Sequence, residues 1–195
     1  MGFTTRSRTG IFAQRAAPVQ INYLGYPATM GAKYMDYIFA DGTIIPEADR
    51  AEYTEKIAYL PTYQPNDPTR AVAEKKFNRE EFGLPPAGFV FCCFNNHYKI
   101  TPCVFASWMR ILKQTGDSVL WLSDGNPAVS ASLGQEAARH GISADRLIFA
   151  RRLPSLEEHL ARYRLADLFI DTSPYNAHTT ASDALWAGLP VLTLM

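Results

Sequence analysis

Two short loops hold most of the side chains that could do chemistry. The first is Asn95-Asn96-His97-Tyr98-Lys99, directly after the apolar run at 89–94. A lysine at the carboxyl end of a strand can hold a phosphate as a point charge. The alternative is a surface lysine in a polar turn. The second loop runs from Asp171 through Ser173, Tyr175 and His178 to Thr179 and Thr180, where a helix begins. Small hydroxyl residues at a helix start present backbone N–H groups and the positive end of the helix dipole, which together bind phosphate without a metal. Asp183 lies one turn further on, on the face of Thr179, where a carboxylate can accept from a ribose hydroxyl. The competing explanation is plain N-capping by Thr179 or Ser173. His159 is a third candidate, although a lone histidine inside a helix is more often structural.

The elements that must position these loops can be read from pattern. From Gly88 onward, unbroken apolar runs alternate with helical segments. FVFCCF (89–94), SVLWL (118–122), RLIFA (146–150), LADLFID (165–171) and PVLTL (190–194) read as strands. Between them, Thr101-Pro102 opens a helix reaching about Lys113, with Thr101 as N-cap. Ala128 to His140 is a helix closed by Gly141, and Thr179 to Ala187 is one closed by Gly188. Ser155 caps a helix over 156–163, and Glu158 completes a capping-box pattern. Strands that are apolar on both faces, joined by helices, imply an α/β fold with a parallel sheet covered on both sides. Ligands bind such sheets beyond the carboxyl ends of the strands.

The first third is shorter in period. A helical remnant is expected over 9–14. The segment from Pro18 to Leu24 reads as a strand in which Val19, Ile21 and Tyr23 alternate with Gln20 and Asn22. Strands are also expected at 36–40 and 56–60, with a helix start at Pro46. Residues 61–88 are polar, carry five prolines (Pro61, Pro65, Pro68, Pro85 and Pro86), and fit an interdomain connection with a short helix at 78–82. The expected organisation is therefore 1–60, a connection over 61–87, and 88–195. The chain stops at Met195 inside what reads as a strand, so the expectation is a piece cut at both ends.

Bulk properties exclude other classes. The chain has 195 residues, 47% hydrophobic and 19% charged, with zero formal net charge. That is a globular composition without the basic stripe a nucleic-acid binder needs. No apolar run reaches the ~18 residues that cross a bilayer, and no signal peptide is evident; a cytoplasmic location is expected. Three cysteines (Cys92, Cys93 and Cys103) do not suggest a disulfide framework and are expected as buried reduced thiols. There is no GxGxxG, P-loop, GxSxG or paired metal-ligand motif.

Residue stretches then carry the reading further. PVQINYLGYPATMG (18–31), DYIFAD (36–41), FNNHYKI (94–100), SVLWL (118–122) and LADLFIDTSPYNAHTTASDALWAGLPVLT (165–193) resemble the catalytic region of protein O-GlcNAc transferases, above all the bacterial type that follows tetratricopeptide repeats. The resemblance covers nearly the whole chain and is most specific from Asp171 to Pro190. It implies a GT-B enzyme of two Rossmann-like lobes: the last part of the N-terminal lobe, then most of the UDP-binding lobe. The implied reaction is inverting transfer of N-acetylglucosamine from UDP-GlcNAc to Ser or Thr hydroxyls of an acceptor protein, with no metal and no cofactor beyond the donor. A non-catalytic UDP-binding remnant, or a transferase using another nucleotide sugar, are the alternatives.

Residue by residue, the resemblance makes Lys99 the lysine that neutralises the departing diphosphate. Asn96 stands where the family usually has glutamine, keeping the amide but shortening its reach. His178, Thr179 and Thr180 match the segment that holds the pyrophosphate, Asp183 the ribose-side carboxylate, His159 and Arg162 positions near the uracil, and Leu24 and Gly25 the loop lining the sugar pocket. Departures are also visible. A family lysine just before the uracil-side histidine is replaced by Ser155-Leu156. The N-lobe histidines of the family, its repeats, and the end of the UDP lobe fall outside this sequence, and the long insertion of animal members is absent from 61–87.

Overall fold

The computed structural model describes residues 7–64 and 67–194. The chain divides into two compact units, Met1–Asp67 and Pro68–Met195.

The first unit contains a short helix α1 (Thr9–Ala13) and three parallel strands, β1 (Ile21–Asn22), β2 (Tyr37–Ala40) and β3 (Lys56–Tyr59), in the order β1-β2-β3. The helix start expected at Pro46 is a 310 segment, Glu47–Glu52. Ile38, Ala40 and Ile45 form its core. The alternation at 18–24 is present but inverted relative to polarity: Gln20 and Asn22 are buried while Val19 and Ile21 are exposed. The reason is hydrogen bonding. Gln20 Nε2 donates to the carbonyls of Phe12 (2.8 Å) and Tyr34 (2.6 Å), and Asn22 Nδ2 to those of Tyr26 and Ala28. Amides placed inside satisfy loop carbonyls that an apolar side chain would leave unpaired.

The second unit is a five-stranded parallel sheet. Its strands are β4 (Phe89–Cys93), β5 (Ser118–Ser123), β6 (Leu147–Ala150), β7 (Leu168–Ile170) and β8 (Val191–Leu192). The helices between them are α2 (Pro102–Gln114), α3 (Pro127–Arg139), α4 (Leu156–Arg162) and α5 (Thr179–Trp186). The spatial order is β6-β5-β4-β7-β8. The chain thus builds outward from β4 through β5 to β6, then returns to the other side of β4 with β7 and β8. The direction of winding reverses between β4 and β7, and that is where a doubly wound sheet opens a ligand crevice. The strand expected over 165–171 is shorter because Tyr163–Leu165 extends α4 as a 310 turn. The last strand likewise covers only two residues of the expected five.

Core residues come from both faces of β4 and β5, with Phe105, Trp108, Met109 and Leu112 of α2 packed against them. Cys92 and Cys93 lie inside β4 and are free; burial raises both thiols, Cys93 to about 12. Cys103 is exposed on α2, contrary to the expected burial. Residues 68–88 wrap the second unit. Arg79 bonds the carbonyls of Leu165 and Gly88 and pairs with Asp167 at 2.9 Å, while Phe82 and Leu84 enter the core.

Candidate functional site

The two loops singled out by residue type lie side by side at the carboxyl ends of β4 and β7, across the winding reversal. Buried polar groups tie them together. Asn95, at 2% exposure, donates from Nδ2 to Asp171 Oδ1 (3.0 Å) and to Thr172 Oγ1 (2.8 Å). Its Oδ1 accepts from Thr180 Oγ1 on α5. Asp171 is the hub of the second loop. Its Oδ1 also accepts from the backbone N–H of Thr172 and Ala177, both at 2.7 Å. Its Oδ2 accepts from Thr193 Oγ1 (2.7 Å) and Asn176 Nδ2 (3.3 Å). A carboxylate that gathers this many donors fixes a loop as a covalent brace would.

Lys99 sits at the mouth of this arrangement. Its Nζ donates to the carbonyl of Asn176 at 2.9 Å and lies 4.0 Å from the centroid of the Tyr175 ring. Burial pulls its pKa below the ordinary lysine range, against the opposing charge of Asp171. His178 is held below its usual pKa by burial and by the Lys99 charge, and its ring meets Tyr175 edge-on at 5.7 Å.

The start of α5 differs from its neighbours. Thr101 accepts from the N–H of Val104 at the start of α2, Asn126 from Ala128 at α3, and Ser155 from Glu158 at α4. At α5 the N-cap is His178, and no side chain from it caps the helix. The capping position of α5 thus belongs to His178 rather than to Thr179 or Ser173; Thr180 spends its hydroxyl on Asn95, and Ser173 contributes a carbonyl to Thr101. At α4 the capping box is half formed. Ser155 accepts from Glu158 N at 3.2 Å, but the Glu158 carboxylate turns away to Lys75 at 3.1 Å.

A cavity of about 480 Å³ opens beside α5, lined by Phe94, Ser123, Arg152, His159, Arg162 and Asp183 among others. A second, of about 810 Å³, continues from Phe94, Ser123 and Asp124 past Asn96, His97 and Thr180. Together they trace a groove along the carboxyl ends of β6, β5 and β4.

Arg162 is 4% exposed. Its guanidinium donates to the Arg151 carbonyl (2.6 Å), lies 2.6 Å from His159 Nδ1, and stacks over Phe94 at 4.4 Å. Its Nε is buried without a hydrogen-bond partner. A guanidinium can only donate, so His159 Nδ1 is the acceptor and the imidazole proton resides on Nε2. Burial, reinforced by the Arg162 charge, lowers His159 to about 4. Nε2 faces Asp183 Oδ2 at 4.0 Å. The sign of the resulting pH effect is set by the depressed folded-state value. The unfolded chain takes up a proton near 6.5, the folded one only near 4, so the stability tied to neutral His159 is whole above 6.5 and is lost as pH falls towards 4. Substituting His159→Gln should flatten this loss. Comparing urea midpoints at pH 7.5 and 5, the wild type should lose about 1 kcal/mol more than the variant, allowing for solvent screening.

Not every expected residue joins the groove in the same way. Asn96 borders the larger cavity, but its Oδ1 accepts from Tyr98 N within its own turn, at a long 3.4 Å. Asp183 borders the smaller one, yet it is already engaged by Arg70 at 2.5 Å. Leu24 and Gly25 belong to the first unit. There Leu24 adopts φ 63°, a left-handed conformation costly for a branched side chain, held by a Tyr63 hydroxyl on its carbonyl at 2.8 Å and by Gly25 N on the Tyr23 carbonyl. Sequence reading missed Arg70, and although Asn95, His97 and Asp171 stand in the two loops it singled out, it gave them no individual role.

His97 is wedged in place. Its Nε2 meets the Ser123 carbonyl at 2.8 Å, and a Cβ on Gly125 would come within 2.7 Å of its ring. Gly125→Ala should cost about 1–3 kcal/mol by overpacking. Adding His97→Ala should return most of it, and a urea double-mutant cycle reads the coupling. Among the described residues, no three His, Cys, Asp or Glu side chains gather as a metal site would require, and no helix is long and apolar enough to cross a membrane.

Known proteins share this fold and sequence pattern. The profile described as glycosyl transferase family 41 matches residues 1–67 and 67–195, meeting at the boundary between the two units. The chain is similar to the probable UDP-N-acetylglucosamine–peptide N-acetylglucosaminyltransferase SEC of Arabidopsis thaliana, 37% identical over 199 residues, covering 99% of this chain and 20% of that protein. It is 25% identical to the UDP-N-acetylglucosamine–peptide N-acetylglucosaminyltransferase of Caenorhabditis elegans over 305 residues, covering 99% of this chain and 26% of that one. Its fold matches the solved structure of a mutant O-GlcNAc transferase of Thermobaculum terrenum with a TM-score of 0.77 and 32% identity, over 93% of this chain and 34% of that chain. The chain thus spans about a fifth of the plant relative's length. The likeness to a GT-B O-GlcNAc transferase fold bears out the α/β, Rossmann-like expectation.

Proposed function

We propose that this chain, which belongs to glycosyl transferase family 41, supplies the nucleotide half-site of an enzyme that transfers N-acetylglucosamine from UDP-GlcNAc to Ser or Thr hydroxyls of proteins. The observation that carries the reading is the convergence of Lys99 Nζ and the uncapped start of α5 on the crevice between β4 and β7. A diphosphate there meets one ammonium and a set of free backbone donors. His178, Thr179 and Thr180 frame it, with Asn96 at the rim. His159, Arg162 and Asp183 line the adjoining cavity, which takes the nucleoside; for Leu24 and Gly25, in the first unit, the family resemblance alone supports a role at the sugar. The relatives' names, which specify UDP-N-acetylglucosamine and a peptide acceptor, support the choice of donor and acceptor.

The chemistry is a displacement. The acceptor oxygen bonds to the anomeric carbon as the bond to the β-phosphate oxygen breaks, UDP keeps the electron pair, and the hydroxyl proton passes to a base. Negative charge grows on the diphosphate as this happens. Lys99 and the α5 N–H groups are already oriented, so they stabilise that charge without reorganising and without a metal. The reading includes a cytoplasmic site of action and tetratricopeptide repeats in the full-length protein.

Calorimetric titration of UDP into the 195-residue chain tests the half-site. Binding is expected, weakened by up to about tenfold in Lys99→Ala. Folded protein that binds no UDP, or that prefers a different nucleoside diphosphate, would overturn the assignment of the donor.

A further inference from the structure

Arg70 lies in the proline-rich stretch that sequence reading assigns to a connection, yet its side chain is 14% exposed and reaches the site. Its Nη1 pairs with Asp183 Oδ1 at 2.5 Å. Its guanidinium also packs over the Trp186 ring at 5.3 Å, and Trp186 Nε1 donates to the Arg70 carbonyl at 3.1 Å. Three contacts from one residue, all on α5, fix the guanidinium relative to the carboxylate. Further along the same segment, Ala73 N bonds the Glu157 carbonyl, Lys75 pairs with Glu158, and Arg164 bonds the Ala73 carbonyl. The segment is therefore anchored on α4 as well, the helix that carries His159.

With Oδ1 taken by Arg70, Asp183 presents Oδ2 toward His159 Nε2 across 4.0 Å. That span is too long for a direct hydrogen bond. It suits one inserted hydroxyl: an oxygen sited ~2.8 Å from both atoms can donate to Oδ2 and accept from Nε2–H. We propose that Arg70 is a positioning residue for the nucleoside end of the site, holding Asp183 ionised and turned so that Oδ2 and His159 Nε2 together grip one ribose hydroxyl. This rests on the nucleotide reading given above. Burial raises Asp183 above the ordinary carboxylate pKa, and the Arg70 hydrogen bond and charge hold that rise in check. The other groups facing Asp183 are the neutral His159, the cationic Arg162 beyond it and the Tyr163 phenol, whose buried hydroxyl stays protonated. None of these replaces the contact that Arg70 makes. Without Arg70 the carboxyl takes up a proton at higher pH, and the acceptor for the hydroxyl is lost as pH falls.

The test is UDP affinity by calorimetry between pH 8 and pH 5.5 for wild type, Arg70→Ala, Arg70→Gln and Arg70→Lys, with folding checked by urea midpoint. UDP's own phosphate titration is common to all four and cancels in the ratio to wild type. Arg70→Ala and Arg70→Gln should bind about tenfold more weakly at low pH than at high pH relative to wild type. Arg70→Lys should restore a flat ratio. If Arg70→Ala fails to fold, Arg70→Gln carries the same expectation. A ratio independent of pH in the folded neutral variants, or no recovery with lysine, overturns the proposal by showing a merely structural arginine. A wild-type protein that binds no UDP overturns it differently, because the control fails rather than the variant and the nucleotide reading falls first.

Discussion

Lys99→Ala is expected to lower turnover by ~10²–10³-fold in a transferase that carries this chain, while its affinity for UDP changes by about tenfold or less. The asymmetry follows from where charge appears. On the proposed reading, the diphosphate in the ground state is already solvated and partly met by the α5 N–H groups. In the transition state additional charge develops on the leaving oxygen, and an ammonium fixed by the Asn176 carbonyl (2.9 Å) and the Tyr175 face is worth more there. Single-turnover rates at saturating donor, set beside calorimetric affinities, separate the two quantities. A variant with normal turnover and a large affinity loss would reassign Lys99 to ground-state binding. Lys99→Arg keeps the charge but not the compact reach, and should recover affinity better than turnover.

The second large effect is on stability. Asp171→Ala removes one acceptor from Asn95, Thr172, Ala177, Asn176 and Thr193 at once. Asn95 and Thr172 are buried, and a buried donor left unpaired costs about 1–3 kcal/mol, so a loss of about 3–5 kcal/mol is expected after partial relaxation. Urea denaturation followed by tryptophan fluorescence reads it, with Trp108 and Trp121 in the core as reporters. The same change should abolish UDP binding even where the protein stays folded, since the loop leading into α5 loses its brace. A stable variant with intact binding would show that Asp171 is dispensable to the loop.

What was legible in the sequence follows the range over which each interaction acts. FVFCC and SVLWL announce buried parallel strands because all their side chains except Ser118 are apolar, a local property. Thr101-Pro102 and Ser155 announce helix starts because a cap acts within three residues. The candidate site was legible as a set of residue types at strand ends. Its pairing was not. Asn95 and Asp171 are 76 residues apart, and Arg70 and Asp183 are 113 apart. No periodicity links such positions. For the same reason Arg70 was hidden in a stretch whose prolines suggested a connection. Gln20 and Asn22 misled in the other direction: their amides are buried because carbonyls of nearby loops need donors, a requirement that polarity alone cannot display.

The reversal of winding at β4 also orders events in time. β4 meets β5 after closing a short segment through α2, and β5 meets β6 through α3. β4 meets β7 only by closing a loop from Phe91 to Leu168, the slowest kind of contact to form because a longer stretch of chain must be gathered first. The crevice has one wall on each side of that late seam. Asn95 and Lys99 stand on the side built from local contacts, Thr172 to Thr180 on the side that arrives last. On a ribosome, which delivers residues in order, the nascent chain exposes the first wall well before the second has been synthesised. A ligand that needs both walls can therefore bind only after the second has been synthesised and folded.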